Sequence, residues 1–293
     1  PVLSSTLTPP AICSGTTFSY TATSATTGST FAWTRATVSG ISPAGTSGSG
    51  NVSEVLTNTS TIPINVTYVY TTTANGCSNA GQNVVVTVNP TPVLSSTLTP
   101  SAICSGATFS YTATSSTSGA TFGWTRATVS GITPAGTSGS GNVSEALTNT
   151  TAAPINVTYV YITSANGCNN SPGQNVVVTV NPMPTLNSSL TPPAICSGTS
   201  FSYTPTSATT GTSFAWTRAT VSGITPAGTS GSGNPNETLT NTTTAPINVT
   251  YVYTLTANSC TNPTTYSVVV SVKPTPVLSS TLTPPAICSG TTF

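Results

Sequence analysis

The chain has 293 residues, of which only 2% are charged: Lys and Arg total 4, the three acids are all Glu, and His and Asp are absent. So few ionisable groups leave almost nothing to run acid–base catalysis or to hold a metal, so the chain reads as neither an enzyme nor a cofactor carrier. A net charge of +1 gives no electrostatic footprint for nucleic acid or an anionic membrane, and no apolar run approaches the ~20 residues of a membrane-spanning helix.

Self-similarity organises the rest. PVLSSTLTP opens copies at Pro1, Pro92 and Pro276, and PTLNSSLTP opens one at Pro184. The copies divide the chain into repeats 1–91, 92–183 and 184–275 and the start of a fourth, 276–293, expected to be cut from a longer array. A period near 90 residues is too long for a solenoid unit and suits a small sandwich domain with its own core.

The elements follow in order within the first copy. Phe18, Tyr20 and Ala22 alternate with Thr and Ser, the period of a half-buried strand. Phe31 and Trp33 mark a second strand. Residues 41–51, rich in Gly, Ser and Pro, read as a long loop. Residues 52–57 form a short strand and 64–73 a long one, whose pattern leaves open which face is buried. Asn75-Gly76 signals a tight turn, and Val84, Val86 and Val88 define the last strand. No stretch carries a sustained 3.6-residue period, so helices should be nearly absent. Six or seven short strands per copy predict an all-β chain, a tandem array of Ig-like β-sandwiches. Asn89-Pro90-Thr91-Pro92 and its counterparts join the copies through alternate prolines, which favour an extended path. A semi-rigid rod is the expected object.

Seven Cys stand at 13, 77, 104, 168, 196, 260 and 288, and within each complete copy the two are 64 residues apart. The alternatives are buried free thiols and disulfides. The constant spacing and the lack of metal-ligand partners favour disulfides within each copy: Cys13 with Cys77, Cys104 with Cys168, and Cys196 with Cys260. Cys288 would pair beyond the fragment. Disulfides imply an oxidising compartment.

Each copy also carries one Arg and one Glu, always 19 apart: Arg35 and Glu54, Arg126 and Glu145, Arg218 and Glu237. They are either ion pairs that pin a loop or solvated surface charges. Trp33, Trp124 and Trp216 are expected in the core, the alternative being sugar-stacking platforms. Asn58-Thr59-Ser60 and Asn65-Val66-Thr67 fit glycosylation sequons.

AICSG with FSYT, F-x-W-T-R, PINVTYVY running into T-x-T-A-N-G-C, and V-V-V-T-V-N-P-x-P occur in that order. Together they resemble the PKD-like, Ig-like repeats of very large cell-surface proteins of Bacteroidota, which travel through the type 9 secretion system and include the mobile adhesins of gliding cells. The resemblance implies an extracellular or bacterial cell-surface stalk of disulfide-bonded repeats. The alternative is an array of adhesive modules that each bind a glycan or surface. Expected partners are the neighbouring repeats and, because a near-neutral surface does not repel its copies, other chains in fibres; nucleic acid and membrane insertion are not expected, and no cofactor is.

Overall fold

In a computed structural model, which describes residues 1–292, the chain is all-β; Phe293, the last residue of the fourth copy, lies outside the described residues. Two compact units are resolved: Pro1–Thr148 with Ile155–Val180, and Asn149–Pro154 with Asn181–Phe293. The first contains repeats 1 and 2 apart from residues 149–154 and 181–183, and the second contains these with repeat 3.

Repeat 1 defines the module. Its strands are β1 (Ile12–Cys13), β2 (Thr16–Tyr20), β3 (Thr30–Arg35), β4 (Ile41–Ser42), β5 (Thr46–Ser49), β6 (Val52–Asn58), β7 (Ile64–Ala74), β8 (Cys77–Ser78) and β9 (Gln82–Asn89). One sheet runs β1-β9-β7-β3-β5, with β8 against β7; the other runs β2-β6-β4. All these pairings are antiparallel except β1 with β9, which places Cys13 opposite Asn89 at the end of the last strand. The same large sheet recurs in repeats 2 and 3.

The core lies between the two sheets. Phe18, Tyr20, Val52 and Leu56 face Trp33, Val66, Tyr68, Tyr70, Val84, Val86 and Val88. The long strand thus buries its Val66-Tyr68-Tyr70 face, the choice that alternation alone left open. Aromatic rings pack tilted or edge-on, with Phe18 5.2 Å and Trp33 5.5 Å from the Tyr68 ring, the offset geometry that the ring quadrupole favours. Equivalent clusters fill repeats 2 and 3.

The expected loop at 41–51 is corrected: β4 and β5 lie inside it. Thr46–Ser49 has little strand propensity of its own, yet it pairs with β3 as an edge strand. Gly48 lies against Trp33, where an added Cβ would meet Cζ2 at 2.5 Å. The glycine is what lets this strand close over the indole.

The Asn75-Gly76 turn has φ of 50° and 78°, left-handed values that Asn and Gly tolerate and that a two-residue hairpin requires. After the proline link, the segment that opens repeat 2 returns at once to the sheet: Val177 N–H donates to the Leu98 carbonyl at 2.9 Å, and Ser95 N–H to the Thr114 carbonyl at 2.8 Å.

Candidate functional site

Two constellations stand out, one inside each module and one at the joint between modules 1 and 2. Inside the module, the alternation of β3 turns Arg35 inward beside Trp33. Its side chain is fully buried, and Nε lies 3.0 Å from Glu54 Oε2. Nη2 donates to Glu54 Oε1 at 3.3 Å, to the Ala44 carbonyl at 2.8 Å and to the Pro43 carbonyl at 3.3 Å. Tyr68 Oη donates to the same Glu54 carboxylate, and the guanidinium lies 6.0 Å from the Tyr68 ring centroid. Arg126 with Glu145 and Tyr159, and Arg218 with Glu237 and Tyr251, repeat the arrangement, with Arg–Glu distances of 3.0 and 2.9 Å.

Each Arg–Glu pair read from the 19-residue spacing is therefore brought together, and it sits under the β4–β5 loop rather than in solvent. The cluster pins that loop through its carbonyls. Burial, and then the bond to Glu54, raise the Tyr68 phenol far above its usual range. For Glu237, burial pushes the carboxyl up, but the bonds from Arg218 and Tyr251 outweigh it and the net shift is downward. The arrangement, with the guanidinium tying two loop carbonyls to a carboxylate, is suited to holding a loop.

The joint is organised by cysteines, and here the expected pairing is overturned. Cys13 is disulfide-bonded to Cys168, 155 residues away in repeat 2, with Cα atoms 5.6 Å apart. Cys104 and Cys260 are disulfide-bonded as well, whereas Cys77, Cys196 and Cys288 carry exposed free thiols. The pairs Cys13–Cys77, Cys104–Cys168 and Cys196–Cys260 are therefore not formed.

The reason is the strand order. β1 runs parallel to β9 and leaves Cys13 beside Asn89, at one end of the sheet. Cys77 pairs with Ala74 at the far end of β7. Those ends are separated by about ten residues of strand, or ~33 Å at ~3.3 Å per residue, against the ~7 Å between Cα atoms that a disulfide can span. The hairpin carrying Cys168 sits at the end of module 2 that meets module 1. Asn89 Nδ2 reinforces the joint by donating to the Asn166 carbonyl at 2.9 Å. Contact shows in burial: Cys168 is 3% exposed, whereas its counterpart Cys77 is open.

Residues 10–92, 101–184 and 193–276 each match the PKD-like domain. The chain belongs to the PKD-like domain family. Among solved structures, it is similar to Drosophila OTK extracellular domains 3–5 (10% identity, 92% of this chain and 94% of that one, TM-score 0.31). It is also similar to mouse cadherin-23 EC22–24 (13%, 92% and 96%, 0.33) and human CDH23 EC21–23 (14%, 91% and 98%, 0.35). No curated protein matches the sequence significantly.

In each PKD-like module the tryptophan is buried, with Trp33 and Trp124 at 8% and Trp216 at 7% exposure. These indoles offer no ring face on which a sugar could stack. The sequon asparagine Asn58 is buried too: its Nδ2 donates to the Ile62 and Val88 carbonyls, both at 2.8 Å, while its Oδ1 accepts from Ser60. It ties the β6 turn to the last strand beside the joint. The pattern Asn-x-Ser/Thr concealed that role, and a local turn motif at the end of a strand was the available signal. Asn65, on the outer face of β7, is exposed.

Proposed function

We propose that this chain is a tension-bearing stretch of the shaft of a bacterial cell-surface or extracellular filament protein, of the kind found among large Bacteroidota adhesins, with no catalytic role. The observation that carries the reading is the Cys13–Cys168 disulfide between consecutive modules. A bond inside one module would leave the joint to the single Asn89–Pro92 backbone link and noncovalent contact. A bond across two modules closes residues 14–167 into a covalent loop, so tension entering near Cys13 leaves near Cys168 without passing through either core. Disulfides persist in oxidising, extracytoplasmic settings, which fits a surface location. The Ser/Thr-rich, nearly uncharged exterior keeps the strands wet without charged sites for a specific ligand.

Single-molecule pulling on the two ends of the chain tests this. Before reduction, residues 14–167 contribute no extension. Reduction should release at least about 500 Å of additional contour length at ~3.3 Å per residue. The same maximum extension with and without reductant would contradict the proposal.

A further inference from the structure

The large sheet of each module has two edges, and they are finished differently. On the β9 side the opening segment and β1 cover the sheet: Val85 N–H donates to the Leu7 carbonyl at 2.9 Å, Val177 N–H to Leu98 at 2.9 Å and Val269 N–H to Leu190 at 2.8 Å. On the other side β5 is the last strand. Its counterparts are Thr137–Ser140 and Thr229–Ser232, every residue of which is exposed. Module 2 has a module before it and another after it in the chain, so this open edge belongs to the module itself and not to where the sequence starts or stops.

The direction of the backbone groups follows from the register. Gly50 N–H donates to the Phe31 carbonyl at 2.9 Å, Gly141 N–H to Phe122 at 2.8 Å and Gly233 N–H to Phe214 at 2.7 Å. Antiparallel residues turn their N–H and C=O alternately toward and away from the neighbouring strand. Thr46 and Gly48 therefore face β3 as Gly50 does, and Ser47 and Ser49 point both groups outward; Ser138 with Ser140, and Ser230 with Ser232, do the same. Among the described residues, nothing bonds these outward groups. Sheet edges are ordinarily blunted by Lys, Pro or a bulge. Here the edge reads Thr-Ser-Gly-Ser-Gly-Asn in all three modules, at 46–51, 137–142 and 229–234, with no charge and no Pro.

We propose that this edge is a lateral pairing site whose occupant is the same edge of a second copy of this chain, laid antiparallel across a two-fold axis at Gly48. The edge is complementary to itself. Ser47 of one copy and Ser49 of the other exchange both backbone bonds, and Ser49 and Ser47 do so on the far side of the axis, giving four bonds in one isologous contact. The intervening pairs approach most closely, at about 4.5 Å between Cα atoms, and there every side chain meets a glycine: Thr46 lies across from Gly50, and Gly48 from Gly48. Because the six residues are identical in each module, any module of one copy fits any module of the next.

Charge does not oppose the contact. The ionised groups behind the edge, Arg35 and Glu54, are already paired with each other, and a net charge of +1 on 293 residues gives two copies little to repel. Pairing joins the two large sheets into one continuous sheet. One edge engages few bonds, so association strengthens as further modules of the same two chains engage. The load-bearing role is not required: unpaired chains still carry tension through Cys13 and Cys168, so failure here leaves the pulling experiment unaffected.

The test uses the full chain with its free thiols alkylated, so that no new disulfide links the copies, at salt high enough to screen surface charge. Sedimentation should show association that grows with concentration, and amide hydrogen exchange should show protection appearing with it at 46–49, 137–140 and 229–232. Ser47→Pro with Ser138→Pro and Ser230→Pro removes an outward N–H, which an edge strand tolerates, and should weaken association about tenfold or more. Ser47→Lys with Ser138→Lys and Ser230→Lys keeps the backbone and should do the same with the melting temperature unchanged, which decides the matter if the proline variant loses stability. Asn65→Lys with Asn156→Lys and Asn248→Lys adds equal charge on exposed sites of the long strand, away from the edge, and should leave association as it was. Monomers at every concentration, association indifferent to the Ser→Lys set, equal loss in the Asn→Lys set, or protection confined to other segments would each overturn the proposal.

Discussion

Replacing the buried arginine by methionine in all three modules, Arg35→Met, Arg126→Met and Arg218→Met, isolates what the Arg–Glu–Tyr cluster contributes. Methionine keeps much of the aliphatic volume and removes the charge. In module 2 the change strands Glu145, whose side chain is 14% exposed, with only Tyr159 as donor, and it removes the donor to the Pro134 and Ala135 carbonyls. Breaking a buried pair by removing one partner costs about 3–5 kcal/mol, a large share of the ~5–15 kcal/mol that holds a domain. With a urea slope of ~1.5 kcal/mol/M for a module of this size, the midpoint should fall by about 2–3 M. Urea titration followed by tryptophan fluorescence reads it, because each module has one indole in its core. Replacing both partners, Arg→Met with Glu→Leu, should recover much of the loss, since no uncompensated charge stays buried. A single-partner loss below about 1 kcal/mol, the worth of a solvated pair, would refute the reasoning.

Other outcomes follow from particular contacts. Gly139→Ala would place a Cβ 2.6 Å from Trp124 Cζ2, so overpacking should cost about 1–3 kcal/mol, read as a lower melting temperature with a shifted indole emission; an unchanged melting temperature would mean the edge strand does not close over the ring. Burial, and then the neighbouring Tyr20, push the Tyr70 phenol up to about 12, and burial with Tyr111 does the same for Tyr161. A folded pKa above the unfolded value of ~10 gives stability that is complete below pH 10 and is lost as pH rises towards 12. Alkaline unfolding and tyrosinate absorbance should therefore rise together in that window; ionisation of the buried tyrosines near pH 10 without unfolding would contradict it. For Glu237 the shift is downward, so its contribution to module 3 is present above the usual carboxylate range and lost as pH falls through it; acid titration of Glu237→Gln should show a shallower loss of module 3 below about pH 4.

Much of the fold was legible because it rests on local alternation. Phe18 and Tyr20, Val66 through Tyr70, and Val84 through Val88 are period-two runs that can bury only one face, and the Asn75-Gly76 pair announces its own turn. The Thr46–Ser49 strand was not legible, because Gly and Ser carry no pattern there and its place is set by Trp33 across the sheet. The Arg–Glu spacing pointed to a pair, but its burial could not be read from residue types that normally stay wet. The cysteines show most clearly where sequence reading stops. A constant spacing of 64 fits pairing within a module and pairing across two modules equally well. Only the parallel β1–β9 register, which places Cys13 and Cys77 at opposite ends of one sheet, decides between them.

The central claim is therefore the identity of the partner of Cys13. Digestion of the alkylated, non-reduced chain followed by peptide mass mapping tests it directly. The account predicts a cross-linked species joining the Cys13 and Cys168 peptides, with Cys77, Cys196 and Cys288 alkylated. A species joining Cys13 to Cys77, with Cys168 linked to Cys104, would contradict it.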